Sequence, residues 1–85
     1  RDRMKLVSIL ANRLFDLYPD RTLIIYTKQG GVWRVSGRSK KNDLNLAFRK
    51  AAEGIGRGGG HPVAAGAEIT DIDLFISRLR KSLKT

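Results

Sequence analysis

The sequence has no cysteine, a single histidine and only two prolines in 85 residues. Without cysteine there can be no disulfide, zinc ribbon, thiol nucleophile or iron–sulfur ligation. One histidine cannot build a histidine-based metal site by itself. No apolar run approaches the roughly 18 residues that span a bilayer, and no secretory leader pattern is visible. The expected setting is therefore the cytoplasm, with no membrane partner. Acid is scarce as well: eight Asp and Glu stand against seventeen Lys and Arg, a net charge of +9. That balance favours a polyanionic partner, because each neutralised phosphate releases counterions; a merely solvated basic surface is the alternative. Hydrophobic content of 41% and charged content of 29% fit a folded chain and not a disordered one. A chain of this length makes one small domain with a modest core. Residue 1 is Arg and not Met, so the chain is expected to be a piece of a longer protein.

What is present reads as alternating helices and strands. The spacing predicts a helix over 4–17, with Val7, Leu10, Ala11, Leu14 and Tyr18 on one face and Leu6, Ile9 and Leu17 widening it. Pro19-Asp20 closes that helix. Residues 22–27 are apolar and β-branched, as in a buried strand. Lys28-Gln29-Gly30-Gly31 is a hairpin turn, and 32–36 return as the antiparallel partner. Asn42 or Asp43 caps a second helix. Its inner face is Leu44, Ala47, Phe48, Ala51 and Ile55, and Gly54 or Gly56 ends it. Residues 63–69 form a strand of small side chains, open to close backbone approach. Thr70 with Asp73 resembles a capping box for a last helix, with Ile72, Phe75, Ile76, Leu79 and Leu83 inward. The expected fold is α+β, a small mixed sheet with helices packed on it, in the order α-β-β-α-β-α.

The positive charge is unevenly placed. Residues 34–61 carry Arg34, Arg38, Lys40, Lys41, Arg49, Lys50 and Arg57 against only Asp43 and Glu53. Arg78, Arg80, Lys81 and Lys84 follow with no acid among 74–85, whereas Glu68, Asp71 and Asp73 have no cation beside them within 62–73. The positive charge thus surrounds a glycine segment and the end of the last helix.

That segment is the sharpest motif: Gly58-Gly59-Gly60-His61-Pro62, followed by Val63-Ala64-Ala65-Gly66. Successive unobstructed N–H groups can form a concave nest for an anion. Arg57 sits beside it, and His61 can donate to a phosphate oxygen or hydroxyl. A plain turn between helix and strand, with His61 merely solvated, is the alternative. The entropy needed to order so many glycines weighs toward a ligand contact. The second motif is Ser36-Gly37-Arg38-Ser39, where Arg38 offers a planar fork of donors suited to phosphate and the serines add hydroxyls. Paired with the glycine segment on a neighbouring strand, it makes one half of a two-sided clamp. Tyr26 and Trp33 can stack on bases, although sheet packing is the favoured reading for both. Catalytic motifs are missing. Asp2, Asp16, Asp20, Asp43, Asp71 and Asp73 are scattered, not clustered as two cations need. No serine stands on a nucleophile elbow, and the glycine run lacks the Lys-Ser/Thr end of a P-loop.

At Ser36-Gly37-Arg38-Ser39 together with residues 58–66, the chain resembles the DHH-associated domain of the RecJ-like phosphoesterases. That group includes exonucleases, oligoribonucleases and cyclic-dinucleotide hydrolases. The resemblance covers roughly residues 20–84. It implies a larger catalytic domain, absent from this chain, that carries an Asp-His-His motif and two divalent cations, manganese or magnesium. It implies that the associated domain grips single-stranded nucleic acid or a short oligonucleotide. Position by position, Arg38 and His61 would hold a phosphate or terminal nucleotide. Gly58, Gly59 and Gly60 would cradle it, with Arg57 beside them and Ser36 and Ser39 assisting. No Asp-His-His occurs in the sequence, so this chain is expected to bind and not to cut. A related domain of alanyl-tRNA synthetases, which contacts tRNA, is the alternative.

Overall fold

A computed structural model of the chain describes residues 3–83; Asp2 and Lys84, both weighed above, lie outside that range. In chain order the elements are α1 (Arg3–Leu17), β1 (Leu23–Gln29), β2 (Val32–Arg38), α2 (Leu44–Ala51), β3 (Gly56–Gly60), β4 (Ala64–Ile69) and α3 (Ile72–Ser82). The α+β class holds, and two details of the sequence reading are corrected. The glycine segment is a strand and not a loop, so the order is α-β-β-α-β-β-α. The sheet is not mixed: it runs β1-β2-β4-β3, and every neighbouring pair is antiparallel. The reason is the link between β3 and β4. His61 donates its N–H to the Ala64 carbonyl at 2.8 Å, and Ala64 donates back to the His61 carbonyl at 3.2 Å. A connection that short can only fold the chain back on itself, since a parallel return needs a crossover of a dozen or more residues.

Strand alternation sorts the side chains onto two faces. On one face Val35, Ala65, Ala67 and Ile69 pack with Leu44, Ala47, Phe48 and Ala51 of α2 and with Phe75 and Leu79 of α3. The Phe48 and Phe75 rings meet edge-on at 5.2 Å, a geometry that adds about 0.5–1.5 kcal/mol to their burial. Gly37 makes room for this core: a Cβ there would stand 2.7 Å from the Phe48 ring. The expected inner faces of α2 and α3 are therefore seen as read, with Ile55, Ile72, Ile76 and Leu83 half-buried at the margin.

The other face is covered by α1, which lies over β1 and β2. Val7 and Ala11 are its buried residues. The apolar stripe is narrower than its spacing implied, and Leu6, Ile9, Leu10 and Leu17 stay exposed. A single helix over two strands meets the sheet along one line, so residues flanking that line face outward. Helix capping follows the sequence reading at α2 and departs from the Thr70–Asp73 capping box at α3. Asp43 caps α2, accepting the Leu46 N–H at 3.2 Å. Asp71, and not Thr70, caps α3, accepting the Leu74 N–H at 3.0 Å. Thr70 is occupied elsewhere: its hydroxyl donates to the Ile55 carbonyl at 3.2 Å.

Candidate functional site

Arg38 ends β2 on the α1 side of the sheet. Its Nε donates to Asn12 Oδ1 of α1 at 2.8 Å. Its Nη1 donates to Ser36 Oγ at 3.0 Å and to the Gly37 carbonyl at 2.7 Å. Ser36 is itself buried, and its hydroxyl also meets Ser8 Oγ of α1 at 3.5 Å. Burial lowers the guanidinium pKa from its ordinary value, and the three acceptors compensate for the lost water. An arginine has five N–H donors in a fixed fork. The inner donors are spent on the frame, and Nη2 donates to no partner among the described residues.

The register links this arginine to the histidine motif. Arg38 pairs with Ala64 across β2 and β4, and the reciprocal bonds between Ala64 and His61 extend the row to His61. Two inter-strand steps of about 4.8 Å put the two backbones roughly 10 Å apart. Two long side chains can close that gap on one phosphate. His61 is exposed. A second row runs from Ser36 through Gly66 to Gly59, where two of the three positions have no side chain. Ser36 is buried in this row, and Met4 of α1 reaches over Gly66, its Cε 3.7 Å from where a Cβ would stand. A shallow cavity of about 420 Å³ lies over part of this strip, with Met4, Arg34, Arg57 and Glu68 at its edges. Glu68 pairs with both Arg34 and the largely exposed Arg57, the latter at 3.4 Å.

The glycine run itself does not form the anion nest its composition implied. In an extended strand successive N–H groups point to opposite edges, so three in a row cannot converge on one ion. The Gly60 N–H is moreover taken by Asn45 Oδ1 at 3.0 Å, and the His61 N–H by Ala64. The need for glycine is met by packing. A Cβ at Gly58 would stand 2.8 Å from the Phe48 carbonyl oxygen of α2. Gly60 has φ +144°, and a Cβ there would stand 2.8 Å from the Ala64 carbonyl.

Ser39 is placed away from any ligand surface. It is fully buried. Its hydroxyl meets Thr22 Oγ1 at 2.8 Å and accepts the Lys41 and Asn42 N–H groups at 3.2 and 3.1 Å. It closes the turn before α2. The structure thus brings Ser36, Arg38, Gly59 and His61 to one side of the sheet, adds Arg57 at its margin, and withdraws Ser39. It also adds residues the motifs did not reveal: Asn12, which holds Arg38, Asn45, which holds Gly60, and Arg34 and Glu68, which join Arg57 in a charged cluster. A lone asparagine within an apolar helix stripe was the available signal for Asn12.

Among the described residues no group of three His, Asp or Glu side chains is placed to hold a metal ion. Nor is any helix among them long and apolar enough to cross a membrane. The architecture is that of a small basic α+β domain with a framed arginine, Arg38, beside a shallow strip of glycine-lined sheet. The chain belongs to the DHHA1 domain family, whose model matches residues 2–85. This is the domain associated with DHH-family phosphoesterases, in agreement with the resemblance carried by the two motifs. No curated protein matches the chain at a significant level.

Proposed function

We propose that this chain is the substrate-binding part of a RecJ-like phosphoesterase, gripping single-stranded nucleic acid or a short oligonucleotide by a phosphate. The observation that carries the reading is the Arg38 fork. Its Nε and Nη1 are fixed by Asn12, Ser36 and Gly37, while Nη2 has no partner among the described residues. A guanidinium held this way has already lost its rotamer freedom, so less entropy opposes ligand binding. His61 donates from the far end of the same row, and Arg57 adds charge at the margin. Gly59 and Gly66 line the shallow cavity between Met4, Arg34 and Arg57, where a backbone or sugar can approach the sheet.

Divalent cations, manganese or magnesium, belong in this reading to a separate catalytic domain carrying the Asp-His-His motif. This chain contributes position. Holding a phosphodiester in register with a reactive centre removes much of the entropic barrier. The test is fluorescence anisotropy with a short single-stranded oligonucleotide at low and moderate salt. Arg38→Ala or His61→Ala is expected to weaken binding at least tenfold. Wild-type affinity in both variants, with all binding lost to salt, would leave the +9 charge as the whole explanation.

A further inference from the structure

The opposite side of the sheet carries a second cavity, of about 520 Å³, between β1 and α3. Its side walls come from helix periodicity: Ile72, Ile76 and Arg80 are spaced four apart, and Asp73 and Lys81 lie on the adjoining line. The floor is Tyr26. Tyr26 pairs across the sheet with Val35, a core residue on the α2–α3 face, so both side chains share that face. Arg38, three residues beyond Val35 on the same strand, faces the other way. The two sites are separated by the thickness of the sheet.

Tyr26 is 48% exposed as a residue, and its ring is packed on one side. Trp33 meets it edge-on at 5.8 Å, and the Lys28 ammonium lies 5.8 Å over the Trp33 ring. A fixed, half-open aromatic face with Ile72 and Ile76 beside it suits a flat heteroaromatic ring. Arg80 and Lys81 stand at the C-terminal end of the same groove, and Asp73 at the other. At 1.5 Å per residue, Asp73 and Arg80 are about 10 Å apart along α3. The groove thus has Ile76 and Ser77 in its middle, cations at one end and the Asp73 carboxylate at the other. Its volume is within the usual range for small-molecule sites, roughly 300–1,000 Å³.

We infer that this groove binds a nucleobase carrying a phosphate. The base stacks on Tyr26 between the isoleucines, and the phosphate meets Arg80 and Lys81. The same chemistry is offered by a free mononucleotide and by one nucleotide of a longer strand. Trp33 is the only tryptophan, so its emission reports on Tyr26 directly. The 85-residue chain is titrated with adenosine 5′-monophosphate, with a short oligoadenylate, and with inorganic phosphate.

The expected result is a saturable change in Trp33 emission with at least one adenine probe. Tyr26→Leu and Arg80→Ala should each weaken that response tenfold or more, with the circular-dichroism spectrum unchanged. Arg38→Ala, on the opposite face, serves to tell the two sites apart. A response to the mononucleotide identifies a free nucleotide as sufficient; a response to the oligonucleotide alone identifies a strand. The inference is overturned if neither adenine probe gives a saturable change. It is overturned equally if inorganic phosphate gives the same change and Tyr26→Leu responds like wild type. Loss of the signal in Arg38→Ala but not in Tyr26→Leu would place the binding in the other site, sparing the proposed function and ending this one.

Discussion

The two faces of the sheet are made by the same strands and obey different rules. Along β2 the residues alternate: Arg34, Ser36 and Arg38 face α1, and Val35 and Gly37 face α2. The α2–α3 side is closed by volume, with Phe48, Phe75, Leu44 and Ile69 almost wholly buried. The α1 side has a smaller apolar contact, Val7 and Ala11, joined by hydrogen bonds between Asn12 and Arg38 and between Ser8 and Ser36, and lies chiefly over two strands. Stability and recognition are thus encoded in one strand at a period of two. A one-residue slip of register would exchange them.

Substitutions on the two faces test that separation. The largest loss of stability is expected from Phe48→Ala, about 3–5 kcal/mol, read from urea denaturation; oligonucleotide binding by the remaining folded fraction should be kept. A loss below 1 kcal/mol would break the comparison at its firmer end. Gly60→Ala should follow, at about 1–3 kcal/mol for a side chain in a backbone conformation it does not tolerate. It is also expected to disturb the His61 turn, so thermal unfolding and binding should change together. Arg38→Ala inverts the pattern. Binding falls at least tenfold, about 1.4 kcal/mol, while the unfolding midpoint shifts less than for either variant above. Asp43→Ala removes a helix cap and should cost about 1 kcal/mol of stability with no change in affinity. The smallest effect is expected from Asn12→Ala, which frees the Arg38 fork without removing it. A two- to threefold loss of affinity in anisotropy would show that the α1 frame positions the arginine. No loss would assign the positioning to Ser36 and Gly37 alone.

The sequence made the apolar face legible and the other face only partly so. Leu44, Ala47, Phe48 and Ala51 repeat at helical spacing, and burial follows directly from that repeat. β3 was not legible. Glycine has no side chain to show a two-residue period and low strand propensity, so five residues that pair fully with β4 look like a loop. Their strand character is imposed from outside, by the backbone of α2 lying against Gly58 and by Asn45 holding Gly60. Ser39 misled for a related reason. A serine beside an arginine has the inventory of a phosphate contact, and only its burial with Thr22 shows that the hydroxyl serves the turn. Arg38 and His61 were readable as motifs, but their common row depends on the β2–β4 register, which no local pattern sets. The order of Thr70 and Asp71 shows a smaller limit: both can cap, and the β3–β4 pairing decided between them by occupying the threonine.

The contact between Gly58 and Phe48 has a mechanical meaning. Most helices ride on a sheet through a cushion of side chains, which can change rotamer and absorb a displacement. Here helix and strand touch backbone to backbone, because a Cβ at Gly58 would already stand 2.8 Å from the Phe48 carbonyl. There is nothing compressible between them. A pull on His61 is passed along β3 to α2, and from α2 through the Phe48–Phe75 contact to α3. The glycine strand therefore works less as a hinge than as a rigid coupling, by which a small load at one edge of the sheet is felt across the helical layer.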